Sequence, residues 1–324
     1  MPPHLDGLDE VPWLDHSSVL ELDELPTSFV VLGGSYIGLE FAQIYARLGA
    51  AVTVIEPSGH LIGREDPEIS EAVADLLVGE GIRLCLGMEP TSVRSEGSDP
   101  AGGGGDVVVS LANGTEVRGA ALLVAAGRRP NTDDLGLDTV GVEVDDHGYV
   151  VVDDVFRSTA PGVYAVGDVN GRGAFTHTSY QDHEILLDHL RGGSRTVAGR
   201  RTTYALFTDP PLGRVGMSEG EARRAGHRVR TTTMPAADIT LAALEAETTG
   251  LVKLVVDDDS DELLGVAALC LHGDELVSTF SAFMHSGASL QQMQEWLPIH
   301  PTISEFVPTL VSPVSADVHE SGRA

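Results

Sequence analysis

The stretch 29–56, FVVLGGSYIGLEFAQIYARLGAAVTVIE, restricts this chain more than any other part of it. An apolar run at 29–32 stops at a glycine turn. A segment of helical period follows from Ile37 to Leu48 and offers Leu39, Ala42, Ile44, Ala46 and Leu48 to a sheet. Gly49 closes it, and a second apolar run at 52–55 ends in an acid, Glu56. Strand, turn, helix, strand and acid in this order read as a βαβ dinucleotide site. The pyrophosphate would lie at the helix N-terminus and the carboxylate on the adenosine ribose. Turn glycines let the backbone approach the phosphates, and N–H groups of the first helical turn point at them.

Gly33 and Gly38 fill the first and third places of G-x-G-x-x-G, with Gly34 between them in the turn. Ser35 stands in the second place, where a missing side chain allows the closest approach; serine is small and adds a hydroxyl donor. This is a weakened match. The spacing of about 20 residues from the glycines to Glu56 is the one the pattern requires. The competing reading is a βαβ unit with a tight turn and no ligand. Glu56 favours NAD over NADP, because it would repel a 2′-phosphate and no arginine directly follows it; Arg64 lies a little further on.

At 324 residues the chain has room for more than one core. Its formal net charge of −29, with Lys253 the lone lysine, argues against nucleic acid and anionic membrane as partners. No apolar run reaches the ~18–20 residues of a membrane span, and no signal sequence is recognised, so a soluble, cytoplasmic protein is expected. Cys85 and Cys270 each lie in an apolar, strand-like segment. Two such cysteines exclude a disulfide scaffold and a C-x-x-C motif, and read as inert core thiols.

Residues 1–26 form a proline-punctuated connector. Asp66-Pro67 starts a helix that runs through Ala72, Val73, Leu76 and Leu77 to Gly79 and Gly81. IRLCLG is a strand. Residues 91–126 read as a β-meander with a loop at 98–105, an Asn113-Gly114 hairpin turn and a final buried strand, ALLVAAG. Two more strands, GYVVVDD and GVYAVGDV, are predicted within 142–169, then a helix over 180–190 and a polar linker. From about 203, a strand and Ser-capped helix (LGRVGMSEGEARRAG), a strand pair around DDDSDE and two helices (274–287 and 289–298) suggest an antiparallel sheet with helices on one face. The tail after Pro313 is polar and expected to fray. His177, Asp182, His183 and Glu184 lack a metal-binding spacing and read as a polar helix face.

Three further segments, AAGRRPNTDDLGL (125–137), STAPGVYAVGDVNG (158–171) and HPTISE (300–305), resemble signatures of the class I pyridine nucleotide–disulfide oxidoreductases. That family includes dihydrolipoamide dehydrogenase, glutathione reductase and mercuric reductase. GREDPEIS (63–70), FTDPPLGRVGMSEGEAR (207–223) and GAFTHTSYQD (173–182) resemble its mercuric-reductase-like branch, and the match runs in order over 1–312. The resemblance implies an α/β fold: a connector (1–26), a Rossmann-like NAD-binding domain (27–126), a partial FAD-domain remnant (127–200), an α+β dimerisation domain (201–312) and a flexible tail (313–324). It implies FAD and NAD(P)H as cofactors, hydride transfer from NAD(P)H to flavin, and a homodimer.

Residue by residue, the resemblance carries over as follows. Gly33, Gly34, Ser35, Tyr36, Ile37, Gly38, Leu39, Glu40 and Glu56 surround the coenzyme. Tyr36 covers the flavin and swings aside for nicotinamide, and Glu40 lies beside the nicotinamide. Gly127 lies near the nucleotide, and Asp168 binds the flavin's ribityl chain, although a GD pair after a buried strand is also a common turn. His300 and Glu305 match a dyad that reaches the partner subunit's active site. Independently of the family, a histidine can hold and return a thiol's proton while a carboxylate fixes its tautomer. The plainer reading is a surface histidine beside a capping-box acid, since Thr302 and Glu305 have that spacing.

One departure is large. Family members open with a glycine motif for FAD and a C-x₄-C redox disulfide, and the sequence resembles the C-terminal two-thirds of such an enzyme. The expectations are therefore an oxidoreductase, completed if necessary by a separate chain that supplies the FAD and C-x₄-C segment, or a non-catalytic, NAD-binding, dimer-forming fragment.

Overall fold

The computed structural model describes residues 4–97 and 105–321, with side chains through Val314; the expected loop lies, from 98 to 104, outside the described residues. Strand β1 (Ser28–Leu32), helix α1 (Tyr36–Leu48), β2 (Ala51–Glu56), α2 (Pro67–Gly79) and β3 (Arg83–Leu86) follow one another, and β4 (Pro90–Glu96), β5 (Asp106–Leu111) and β6 (Glu116–Gly119) lead to β7 (Ala121–Val124). The four parallel strands pair in the order β3-β2-β1-β7, while β4, β5 and β6 form an antiparallel sheet of their own. Interior β1 is buried from Phe29 to Leu32, and its pairing with β2 (Phe29 opposite Val52, Leu32 opposite Ile55) brings Gly33 and Glu56 to the same sheet end.

Helix α1 buries Leu39, Ala42, Gln43 and Tyr45, whereas Ile44 and Leu48, expected in the core, are 50% and 62% exposed. At about 100° per residue both point away from the face that carries Leu39, Ala42 and Ala46. Tyr45 is buried instead, its ring stacked 4.4 Å from Phe29 and its hydroxyl donating to the Val19 carbonyl at 2.8 Å.

The molecule divides into two compact units: Gly127–Arg201, and a larger unit made of the preceding residues together with those from Thr202 onward. The smaller unit contains α3 (Leu137–Val140) and α4 (Thr176–Leu190). Its two expected strands form isolated bridges (Val144 with Val150, Val152 with Ser158, Arg157 with Tyr164) rather than a sheet. Their backbone N–H groups bond to scattered single partners, as from Val150 to the Val169 carbonyl, Val151 to Glu143 and Ala165 to Phe156, and the core is small, built on Val142, Val150, Ala160 and Ala165.

After Thr202 come β8 (Thr203–Leu206), β9 (Leu212–Gly216), α5 (Glu219–Arg224), β10 (Val229–Pro235), α6 (Thr240–Leu244), β11 (Leu251–Asp257), β12 (Leu263–Leu269), α7 (Gly273–Ser286), α8 (Leu290–Glu295) and α9 (Val307–Ser321). The five strands form one antiparallel sheet ordered β10-β11-β12-β9-β8. Phe280, Met293, Val307, Leu310 and Val311 bury against it. Helix α9 runs through Pro313 to Ser321, where the sequence suggested a frayed tail. Its anchored face, Val307, Leu310, Val311 and Val314, outweighs the hydrogen bond lost at the proline. Leu206, Leu212, Ala267 and Leu269 share a hydrophobic cluster with Val31, Leu39 and Val54, so the two sheets of the larger unit are joined by apolar packing. Cys85 and Cys270 are both free and buried, and burial pushes the Cys270 thiol up to about 12.

Candidate functional site

The glycine turn is built by backbone-on-backbone contact. A Cβ on Gly38 would fall 2.1 Å from the Gly33 carbonyl oxygen, and one on Gly33, at φ +113°, would fall 2.5 Å from that of Ala125. Only hydrogen fits at both positions, which presses the start of α1 onto the end of β1. Ser35 is the N-cap in an extended conformation, and its side chain makes no cap hydrogen bond. The N–H groups of the first helical turn are thus not taken by the side chain of their own cap, at the positive end of the helix dipole. Tyr36 and Ile37 are half-buried there, while Leu39 is fully buried and serves packing. Glu40 accepts from the Phe207 N–H at 2.8 Å; burial raises its pKa, opposed by that hydrogen bond.

Glu56 closes the turn. Its Oε2 accepts from the Gly34 N–H at 2.7 Å and its Oε1 from the Ser58 N–H at 2.9 Å. The Gly34 carbonyl accepts from the Ile62 N–H at 2.9 Å. Both main-chain groups of Gly34 are thereby engaged, the N–H by the last residue of β2 and the carbonyl by the segment between β2 and α2. Ile62, buried and β-branched, sits at φ +48°, a left-handed conformation that costs about 1–3 kcal/mol and persists only where neighbours enforce it. A carboxylate offers about four lone-pair sites, so Glu56 keeps unused acceptor capacity beyond these two hydrogen bonds.

The same segment leads into a cluster that sequence reasoning missed. The Arg64 guanidinium lies 5.1 Å from the ring centre of Tyr36 and 5.3 Å from that of Tyr204, and the two rings meet edge-on at 5.7 Å. Burial pushes the Tyr36 phenol up to about 12, against the pull of Arg64. The Tyr204 hydroxyl donates to Glu65, which accepts from Arg214 Nε at 3.0 Å on each oxygen and also from Nη2. Beside it, Lys253 Nζ meets Asp66 at 3.2 Å and Glu219 at 2.8 Å, and also Glu68. Burial works against the Lys253 charge, but the carboxylates win and its pKa is raised. The available signal was a charge at the centre of an apolar strand, in LGRVG and LVKLVVD, since buried charges are almost always paired.

His300 and Glu305 are brought together. The Glu305 Oε2 lies 2.7 Å from His300 Nδ1 and also takes the Thr302 N–H at 3.4 Å. One carboxylate thus meets both readings of this motif, cap and histidine partner. A carboxylate only accepts, so the pairing assigns a proton to Nδ1 and leaves Nε2 outside the contact. The imidazole is 71% exposed and the carboxylate 11%, a fixed base under a presented ring.

In the smaller unit Gly127 takes φ +120°, and Asp168 lies in the 3-10 turn Gly167–Asn170, its carboxylate 3.0 Å from Arg128 Nη2. Asp182 departs from its expected place on a polar helix face. It is buried, and its Oδ2 accepts from the Gly167 N–H and the Asn170 amide, each at 2.9 Å, while Arg200 pairs with Oδ1. Asp182 therefore shapes the turn that presents Asp168. Among the described residues no group of three or more His, Cys, Asp or Glu is placed to hold a metal, and no helix is long and apolar enough to cross a membrane.

A parallel sheet whose central strand ends in a glycine turn under a long helix, with an acid closing the second strand, defines a Rossmann-type α/β module. The family model described as pyridine nucleotide-disulphide oxidoreductase matches residues 2–182, and that family's dimerisation domain matches residues 202–311. The chain is 32% identical over 313 residues to the probable pyridine nucleotide-disulfide oxidoreductase RclA of Escherichia coli, covering 96% of this chain and 69% of RclA. It is 32% identical to a mercuric reductase of Streptomyces lividans, covering 98% of this chain and 66% of that protein. The solved HOCl-induced flavoprotein disulfide reductase RclA superposes with a TM-score of 0.89, covering 97% of this chain and 71% of RclA. This chain belongs to the pyridine nucleotide–disulphide oxidoreductase family.

Proposed function

We propose that this chain serves as an FAD-dependent NAD(P)H oxidoreductase, with NAD the preferred coenzyme, working as a cytoplasmic homodimer. The observation that carries this reading is the glycine turn: at Gly33 and Gly38 only hydrogen is tolerated, and the helix end above them is left open by its own N-cap. These features fit a dinucleotide's diphosphate. When bound, the nicotinamide supplies a hydride and the flavin accepts it.

Under this reading the first-turn N–H groups of α1 hold the diphosphate. Glu56 takes ribose hydroxyls with its remaining lone pairs and disfavours a 2′-phosphate by its charge. Tyr36 stands over the start of α1 and shields the reacting face, with Glu40 beside it. Asp168, oriented by Arg128 and by the turn that Asp182 shapes, would accept a hydrogen bond from a hydroxyl of the flavin's side chain. His300 holds or releases a proton at Nε2 while Glu305 keeps Nδ1 protonated. The imidazole's exposure suits a group used by a second copy of the chain.

A second reading has an observation of its own. The unit that carries Asp168 forms isolated bridges instead of a sheet, which favours a coenzyme-binding, dimer-forming module without turnover. The absorbance of the purified chain separates the two. A flavin spectrum that bleaches under anaerobic NADH supports the oxidoreductase and removes any need for a separate chain supplying the FAD segment. A colourless chain that binds NADH supports the module. Absence of NADH binding at saturating coenzyme defeats both.

A further inference from the structure

The Arg64 cluster is not needed to build the glycine turn, yet it stands on the residue that opens α1. Its three members differ in how firmly they are held. Tyr204 is buried, and its hydroxyl is tied to Glu65, itself clamped by Arg214. Tyr36 is half-buried and Arg64 exposed. Arg64 lies against both rings at nearly the same distance, 5.1 and 5.3 Å. Its backbone is placed by the same segment that grips Gly34, through the hydrogen bond from Ile62 N–H and the strained φ of Ile62. A buried ring thus forms a floor, a half-buried ring rests edge-on against it, and a cation bridges the two.

We propose that Arg64 is a positioning residue: with Tyr204 it latches the ring of Tyr36 over the start of α1, so that coenzyme entry requires one cation–π contact to be broken. This rests on the reading above, in which the coenzyme lies at the start of α1 and Tyr36 must yield to it. A ring held in its resting place lowers apparent affinity by the fraction of molecules in which it is released. An exposed cation–π contact corresponds to a factor of about two to five in such an equilibrium. Lysine keeps the charge but not the flat guanidinium, so it restores part of the latch.

The test uses the whole chain, with NADH as the probe. Arg64→Met is an exposed substitution that preserves much of the side-chain volume. It is expected to tighten NADH binding by about two- to fivefold in calorimetry, with Arg64→Lys lying between it and the wild type. In a Tyr36→Ala background the Arg64→Met change is expected to have no effect. Weakened NADH binding in Arg64→Met that persists without the Tyr36 ring would mean that Arg64 contacts the coenzyme itself, and the latch would be discarded. A second measurement needs no coenzyme. With ring-labelled tyrosine, the NMR signal that disappears in Tyr36→Phe identifies Tyr36. That signal is expected to shift in Arg64→Met and to return toward its wild-type position in Arg64→Lys. An unmoved Tyr36 signal overturns the latch whatever NADH does, whereas a moved signal in a chain that binds no NADH counts against the coenzyme reading alone.

Discussion

The two units of this molecule carry similarly strong strand signals and use them differently. VVVDD in the smaller unit opens on the same three valines as VVVSL in the larger, and VYAVGDV is largely apolar, yet only VVVSL becomes part of a sheet. The difference lies in the neighbours. In the larger unit every strand lies beside another, and the charges it buries are matched by opposite charges. In the smaller unit the same kind of segment finds only single bridges, and Leu135, Val140, Tyr180 and Leu190 stay exposed. A strand is a property of a pair; periodicity reports only that a segment would be willing to join one.

The largest expected effect tests the ionic seam of the larger unit. Arg214→Met leaves Glu65 buried with its main partner removed and is expected to cost about 3–5 kcal/mol in urea unfolding. Adding Glu65→Leu to that variant should recover much of the loss, because an apolar pair of similar volume avoids the desolvation of both charges. A double variant as unstable as the single one would show that the seam is held by something other than charge pairing.

Next comes the glycine turn. Gly38→Val sets a branched side chain against the Gly33 carbonyl, which is backbone and cannot rotate aside. Overpacking of this kind costs about 1–3 kcal/mol, and NADH binding is expected to be lost in calorimetry while the circular dichroism spectrum stays folded. Unchanged NADH affinity would falsify the assignment of this turn.

What could be read from the sequence follows the same division. The run from β1 to Glu56 was legible because all its determinants are adjacent in the chain: apolar stretch, glycines, helix period, acid. His300 and Glu305 were legible for the same reason, being five residues apart in the chain. Strand β10, VRTTTMP from Val229, was missed because an edge strand alternating half-buried and exposed residues carries little apolar signal. Asp182 was misplaced because its partners, Gly167, Asn170 and Arg200, are brought to it by the fold. The link from Glu65 to Arg214 joins residues far apart in sequence, and no local pattern names such a partner. Ile44 and Leu48 were misassigned for a different reason, since an apolar residue on the wrong side of a helix is still apolar.

In the smaller unit, Asp182→Ala is expected to act locally. It strips acceptors from the Gly167 N–H and the Asn170 amide and leaves Arg200 without its carboxylate. Unsatisfied buried donors cost about 1–3 kcal/mol. Hydrogen exchange should accelerate over 165–171, the turn that carries Asp168, and any flavin content of the purified chain should fall with it. If exchange there is unchanged, Asp182 does not organise the turn, and Asp168 is positioned by Arg128 alone.

The smallest effect returns to the larger unit, at its most acidic edge. Asp257 accepts from the backbone N–H groups of Asp259 at 2.8 Å and Ser260 at 3.0 Å, and its other oxygen meets His227 Nδ1. The hydrogen bond to His227 leads the causes that lower its pKa from 3.8 to about 2. A carboxyl whose folded value is depressed favours folding once it is ionised in both states, and that contribution disappears as pH falls through the folded value. Asp257→Asn is therefore expected to be less stable than the wild type above about pH 4, by about 1 kcal/mol at most, because the partly exposed His227 leaves the pair open to solvent screening. The two stability curves should converge as pH drops toward about 2. Because many carboxylates titrate over the same range, the informative quantity is the difference between the two proteins rather than either curve. A difference that stays constant from neutral pH down to about 2 would assign the role of Asp257 to the shape of its turn, with the charge incidental, and would make the turn before β12 resemble those of the smaller unit.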